Sequence, residues 1–386
     1  MARRLESVQT PLRGAEGARC ASPSWAVHAD DRTTSLAEGG VVFPNVRRTR
    51  IGILGALGLV LLASACLADS LYTQVGTVQT PGLGGSVSGE DRYGAVATRA
   101  GYIYALYRSD RLLVFDATSL DDRGAMETID TPVADVALEP GDRTGLLVVG
   151  SRLYCYGWRG GLVFDISDPA NPVQTGHFGD NTTHILDMDY RGGYLFAACY
   201  DRLVIFSFLM SADFPSVAAD LPMDRDTYVY EVCTVGTKLC GAGYRRRESG
   251  IYDYWLGMWD SAIPERASLA YVVTTTDRGY RLAAVGDMLL AISESDATLW
   301  GLSTGSLRLV DSLDLCGRSM AVHRNRLILT GGGLTVNEGA IELLWLDTCP
   351  PDDLRSGLPA LGASNGDLVV LPDRRTLAVL QENGTP

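Results

Sequence analysis

Two serines stand in the spacing of a hydrolase nucleophile. Ser303 in "GLSTG" (301–305) and Ser364 in "GASNG" (362–366) both fit Gly-x-Ser-x-Gly. That motif lifts a serine onto a sharp turn between a strand and a helix, so a helical pattern must follow it. Neither copy has one, and a chain with 43 glycines produces such matches by chance. The four histidines, His28, His177, His184 and His323, show no His-x-His or His-Glu-x-x-His spacing, so no metal site is read from them. Asp121-Asp122 and Asp187-Met188-Asp189 offer hard oxygen ligands. No Asp-x-Asp-x-Asp-Gly loop accompanies them, and solvated turn acids are the ordinary reading. No catalytic residue, metal or cofactor is expected.

Cysteines are the next candidates. Cys20 and Cys66 lie near the N-terminus; Cys155, Cys199, Cys233, Cys240, Cys316 and Cys349 remain. An even number in an exported chain permits disulfides. Cys233 and Cys240 flank "TVGTKL", which reads as a hairpin with Gly236 at its tip, and they are the candidate pair. Cys316 with Cys349 is a weaker one. Cys155 and Cys199 occupy comparable strands and read as buried apolar residues. Without Cys-x-x-Cys, neither redox catalysis nor a zinc ribbon is supported.

The remaining signal is a recurrence of aromatic next to arginine. It occurs in "YRSDR" (107–111), "YGWRGG" (156–161), "CYDR" (199–202) and "YRRRESGIYDYW" (244–255). These residue types dominate protein interfaces, and a flat ring also stacks on sugar. The candidate binding face is Tyr107, Arg108, Trp158, Arg159, Tyr200, Arg202, Tyr244, Arg245, Tyr254 and Trp255. The longest insertion adds Arg246, Arg247 and Tyr252, and "GGGLTVNEGA" (331–340) occupies the equivalent place further on. Ordinary solvated hairpins are the competing reading.

Such residues act together only if a repeating scaffold aligns them. Short apolar runs end in an aromatic or leucine, at Phe115, Phe164, Phe206, Trp259, Trp300 and Leu346, spaced 49, 42, 53, 41 and 46 apart. A second ladder lies just upstream: Ile103, Leu153, Leu195, Leu239, Leu289, Leu327 and Leu377, seven copies. A further strand precedes most of these, as in "LAAVGD" and "MAVHRN". Another follows, as in "NPVQTGHF" and "SLAYVVTTT". Four short strands in about 46 residues, repeated, with no amphipathic helix between them, is the pattern of a β-propeller. The expected fold is all-β: a single propeller of seven blades, with six or eight as alternatives. The C-terminal "GDLVVLPDRRTLAVLQENG" (366–384) supplies two inner strands of the last blade. The N-terminal "LYTQVGTVQTPG" (71–82) is expected to close it as an outer strand, removing exposed sheet edges.

"GLVFDISDPANPVQTGHF" (161–178) resembles the LVIVD repeat of bacterial and archaeal surface proteins, with its Leu-x-Val/Phe-Asp-Ile-Ser-Asp-Pro core. The match covers 151–178, and "LLVFDATS" is a partial copy. The resemblance implies a β-propeller at the cell surface or in the periplasm, and no catalytic residues. Within it, Asp165 and Ser167 are expected to bond turn backbone, and Pro169 and Pro172 to lie between strands.

The N-terminal segment agrees with export. Arg47, Arg48 and Arg50 precede "IGILGALGLVLLASA" (51–65), a basic region, an apolar stretch and small residues, which is the pattern of a secretory signal. Ala63-Ser64-Ala65-Cys66 resembles the lipobox of bacterial lipoproteins, with alanine at 63 where that family carries leucine. It also fits an ordinary A-x-A cleavage site. The organisation read from this is 1–45 leader, 46–65 signal peptide and 66–386 propeller, with Cys66 as the lipidated residue. The net charge of −13 argues against nucleic acid as a partner, because that needs a basic face. The function read from the sequence is an exported, lipid-anchored, monomeric module of the cell envelope that binds or scaffolds a protein or glycan. A propeller hydrolase or lyase with a central-channel site, and a purely structural envelope protein, are the alternatives.

Overall fold

In the computed structural model the described residues are 72–79, 93–120, 127–139, 143–275 except 181, 280–303 except 294 and 295, 305–314, and the strand residues between 319 and 382. Cys66, the leader, the signal segment, Asp121-Asp122, Cys316, Cys349 and the 331–340 insertion lie outside them. The described chain is all-β apart from one 3-10 turn at Pro264–Arg266.

Five antiparallel sheets of four strands follow one another: sheet I (93–137), sheet II (143–178), sheet III (187–222), sheet IV (227–275) and sheet V (281–314). In each, spatial order is sequence order. Sheet VI (319–361) also has four strands but is mixed: Arg326–Thr330 pairs parallel with Glu342–Leu346, and Ser319–His323 pairs parallel with Ala360–Leu361. Sheet VII joins Ala363–Asn365, Leu368–Asp373 and Thr376–Glu382 to the N-terminal strand Tyr72–Gln79, with Glu127–Ile129 added parallel at its edge. The C-terminal stretch therefore supplies second and third strands of its sheet, where two inner ones were expected. The first strand is Ala363–Asn365, out of the "GASNG" that resembled a nucleophile motif.

The two leucine and aromatic ladders of the sequence are cross-strand partners. Ile103 faces Phe115, Leu153 faces Phe164, Leu195 faces Phe206, Leu239 faces Trp259 and Leu289 faces Trp300. The sixth copy departs, since Leu327 faces Leu343. The seventh, Leu377, sits on a third strand opposite Val78 rather than on a second strand.

Burial explains why these strands are apolar without alternation. Second and third strands are buried on both sides, as in "RLLVFD" (Arg111–Asp116), where four consecutive residues are inaccessible. A strand covered on both faces reads as a continuous hydrophobic run, whereas one with a wet face alternates. Fourth strands do alternate: Ser268–Thr275 turns every second residue outward. From sheet I to sheet V each sheet packs on the next through its own apolar cluster. Leu106 and Leu112 meet Leu153 and Phe164 between sheets I and II; Phe196 and Ile205 meet Trp255 and Trp259 between III and IV. Val78 and Val379 of sheet VII share a cluster with Ile103 and Phe115 of sheet I. The first strands also pack in succession from sheet I to sheet VII, and that of sheet VII packs on that of sheet I.

The turns follow from side-chain chemistry. Asp116, Asp165 and Asp260 close three of the third strands, and each accepts the backbone N–H two residues on, at 2.9, 2.8 and 3.3 Å. These are Asx turns, the local bond that lets Asp end a strand.

Phe164 is wholly buried between sheets I and II. Phe164→Ala is expected to lower stability by about 3–5 kcal/mol in urea unfolding. Val217→Ala, on an outer strand and 60% exposed, is expected to change it by no more than about 0.5 kcal/mol.

Candidate functional site

In sheets I–III backbone bonds tie each hairpin between second and third strands to the chain that leads into the next sheet: Leu138 N donates to Asp110 O (2.7 Å), Ile185 N to Gly157 O (2.9 Å) and Val229 N to Tyr200 O (2.8 Å). In sheet IV Arg246 N donates instead to Asp226 O (2.8 Å), in the crossing that enters that same sheet. Aromatic residues of hairpin and crossing meet there.

The ten candidate residues separate into three groups. Tyr200, Tyr244 and Tyr254 come together. Tyr200 tilts against Tyr228 with ring centroids 4.6 Å apart, Tyr228 against Tyr244 at 4.9 Å, and Tyr244 reaches Tyr254 at 6.3 Å. Tyr252 meets Tyr244 edge-on at 5.3 Å, and Tyr230 lies 6.4 Å from it. Tyr228, Tyr244 and Tyr254 are register partners across three strands of sheet IV. Tyr200 and Tyr252 are the exposed ends, at 42% and 47%. Tyr200 holds φ at +62°, a conformation unfavourable for an aromatic residue, fixed by its bond to Val229. Burial and a hydrogen bond with Tyr200 keep the Tyr244 phenol well above its ordinary value, so it stays a neutral donor.

A second group sits on the hairpins apart from this array. Trp158 is 48% exposed and tilts over His184, with centroids 4.8 Å apart. Arg159 beside it is exposed. Tyr107 is buried, with the Arg108 guanidinium 5.1 Å above its ring. Arg202 is paired with Asp201 and Asp220 at 3.1 and 3.4 Å.

Trp255 belongs to neither. Its ring is buried and turned toward sheet III, against Trp259. Its neighbours Tyr254 and Asp253 show why: alternate residues of a strand point to opposite faces, so Tyr254 and Trp255 cannot share one. Gly243 opposite makes room, since a Cβ there would stand 2.3 Å from the Trp255 ring. Arg245 is exposed on that same side.

The array includes Tyr228 and Tyr230, which sequence reasoning missed. Their signal was "TYVYEV" (227–232), two tyrosines at strand spacing right after the crossing.

Ser303 and Ser364 are both accounted for in strands. Ser303 Oγ lies 2.6 Å from Ser306 Oγ across a hairpin, and Ser364 Oγ donates to Val322 O at 2.9 Å, tying sheet VII to sheet VI. Cys233 and Cys240 are directly opposite in register, yet both are free thiols, as are Cys155 and Cys199. Burial pushes Cys240 up to about 12 and Cys233 well above its ordinary value. The thiolate needed to form a disulfide is thereby suppressed.

Asp187 and Asp189 face the next sheet instead of a cation. Asp187 Oδ2 accepts from Val232 N at 2.8 Å, and Asp189 Oδ2 from Thr234 N at 2.6 Å. Around Asp187 lies a polar network between the first strands of sheets III, IV and V. Tyr156 Oη donates to Asp187 Oδ1 (3.3 Å), and Arg281 Nη1 donates to Glu231 Oε2 (3.0 Å). Glu231 is 1% exposed. Desolvation first, and the Asp187 carboxylate second, raise it to about 8 against the pull of Arg281. Among the described residues no group of three or more His, Cys, Asp or Glu is placed to hold a metal. No helix among them is long and apolar enough to cross a membrane.

No family model matches the sequence, and no curated protein matches it. Among solved structures the chain is similar to the computationally designed Ika8 protein, at 9% identity over 78% of this chain and 99% of that one, with a TM-score of 0.46. It is also similar to the computationally designed Ika4 protein, at 11% identity over 45% of this chain and 95% of that one, with a TM-score of 0.32.

Glu231 gives the fold a pH dependence. Between its unfolded value near 4.5 and its folded value of about 8, the folded protein holds a proton the unfolded chain has lost. Stability therefore falls as pH rises through that window. Asp187, also raised by burial, pushes the same way. The thermal midpoint is expected to be lower at about pH 8 than at about pH 5, and Glu231→Gln to flatten that slope.

Proposed function

We propose that the chain is a lipid-anchored, exported β-propeller of seven blades that serves as a binding module of the cell envelope, with a protein or glycan ligand. The tyrosine array carries this reading. Six tyrosines from two neighbouring sheets converge at the hairpin end, and two of them present their rings to solvent. Tyrosine brings a large apolar area and a hydroxyl at low entropy cost, which is why interfaces are enriched in it. The strained backbone of Tyr200 adds weight, since strain of this kind concentrates at working sites.

Seven blades are supported by the succession of first-strand contacts that returns from sheet VII to sheet I. Export and the anchor rest on the basic and apolar run at 47–65 and on Cys66. The resemblance of 161–178 to the LVIVD repeat points to the same compartment. The Glu231 network does not favour an enzyme. Its carboxylate is sealed from solvent, and its partners hold first strands together, so a substrate has no approach to it.

The test uses the chain from Cys66 onward as bait against a detergent extract of envelopes, with chemical cross-linking. Wild type is expected to capture a defined partner. Tyr200→Ala/Tyr252→Ala is expected to lose at least tenfold of that capture at an unchanged thermal midpoint, and Trp158→Ala to report whether the ligand extends to sheet II. Equal capture by wild type and the tyrosine double variant would overturn the reading.

A further inference from the structure

On the opposite side of sheet IV from the tyrosines, a pocket of about 490 Å³ opens between the outer strands of sheets III and IV. Small-molecule sites fall in the range of about 300–1,000 Å³. Trp255 and Trp259 form its apolar floor, with ring centroids 6.1 Å apart. Asp224, Arg245, Asp253 and Thr274 stand on its rim beside the exposed Leu269 and Val272. Trp255 Nε1 is buried and has no hydrogen-bond partner among the described residues, and an unmet buried donor carries a cost of about 1–3 kcal/mol.

We propose that this pocket binds a neutral saccharide of one or two rings. The inference deepens the binding-module reading by naming a ligand class, and it rests on that reading only for its biological sense.

Charge selects among ligand classes. An anion would face two carboxylates on the rim. A cation is the usual guest of paired aromatics and acids, but two arginines offset the two rim carboxylates, Asp224 and Asp253. Asp253 is ion-paired with Arg247 and stands opposite Arg245 in the strand register. A hydrocarbon would leave the rim groups without partners. A sugar answers all of these at once. Its C–H groups pack on the apolar wall that the two indoles floor, and its hydroxyls both donate to carboxylates and accept from the guanidinium of Arg245. The sheet also provides space for a rigid floor, since Gly243 and Gly257 lie against the indole rings, where a Cβ would clash at 2.3 and 2.9 Å.

The probes are cellobiose, maltose and diacetylchitobiose, titrated into the purified chain from Cys66 onward while its tryptophan emission is followed, with choline and glucuronate as charged controls. At least one disaccharide is expected to shift the emission saturably at millimolar concentration, and neither control to do so. Arg245→Ala/Asp224→Ala, two exposed rim positions, is expected to weaken that binding at least tenfold at an unchanged thermal midpoint. Silence from all three disaccharides, a response to choline or glucuronate in their place, or undiminished binding by the rim variant would overturn the inference. Partner capture through the tyrosine array is measured separately, so either can fail while the other stands.

Discussion

A sheet whose two middle strands are apolar on both faces must be covered twice. That requirement governs this molecule. Phe115, Phe164 and Phe206 are wholly buried because each lies on a third strand with another sheet on either side. A row of such sheets leaves its first and last members bare on one face, which invites aggregation. Here the N-terminal strand joins the C-terminal sheet, and Val78 and Val379 of that sheet cover Ile103 and Phe115 of the first. The first and last described strands thereby become part of the core.

Packing alone leaves a problem at the inner edges. First strands of neighbouring sheets lie against each other but do not extend one another's ladders, so their outward backbone groups need other partners. Side chains supply them. Asp187 and Asp189 accept from Val232 and Thr234 of sheet IV, Thr144 donates to Ile185 O at 3.1 Å, and Arg191 reaches Gly236 O and Lys238 O at 2.9 and 3.2 Å. The same region holds Glu231, whose carboxyl keeps its proton up to about pH 8 and accepts from Arg281 at 3.0 Å. Asp187 and Asp189 on the first strand of sheet III therefore act as fasteners between sheets.

Much of the fold was legible because it repeats. Ile103, Leu153, Leu195, Leu239 and Leu289 recur at the spacing that sets them opposite the aromatic ladder, and such a period marks a repeat of one sheet unit. Leu377 misled because a third strand and a second strand share one burial requirement and hence one apolar pattern. The candidate face was legible only in part. Aromatic and arginine in hairpins pointed to the right end of the sheets, but pleat parity sends Trp255 away from Tyr254, and side-chain alternation depends on register that a hairpin of unknown length does not fix. Tyr228 and Tyr230 arrive from the first strand of sheet IV, where "TYVYEV" marks a strand but not the long-range contact with Tyr200. The Asp187-Met188-Asp189 pair looked like cation ligands for a similar reason: only the neighbouring sheet shows what the oxygens accept.

Sheet IV concentrates the features that distinguish this chain from a plain repeat. It has the longest strands, the tyrosine array on one side and the tryptophan pocket on the other. Both depend on neighbouring sheets being held at fixed positions, and that in turn depends on the join between the two ends of the described chain. The most direct test replaces Thr77 and Ala378, register partners across that join, by cysteine, and treats the folded protein with a short thiol cross-linker. A covalent link within single molecules, formed in the folded protein at native temperature and not formed when the chain is unfolded before treatment, is the predicted result. Thiols that stay unlinked, or that link only between molecules, would contradict the account.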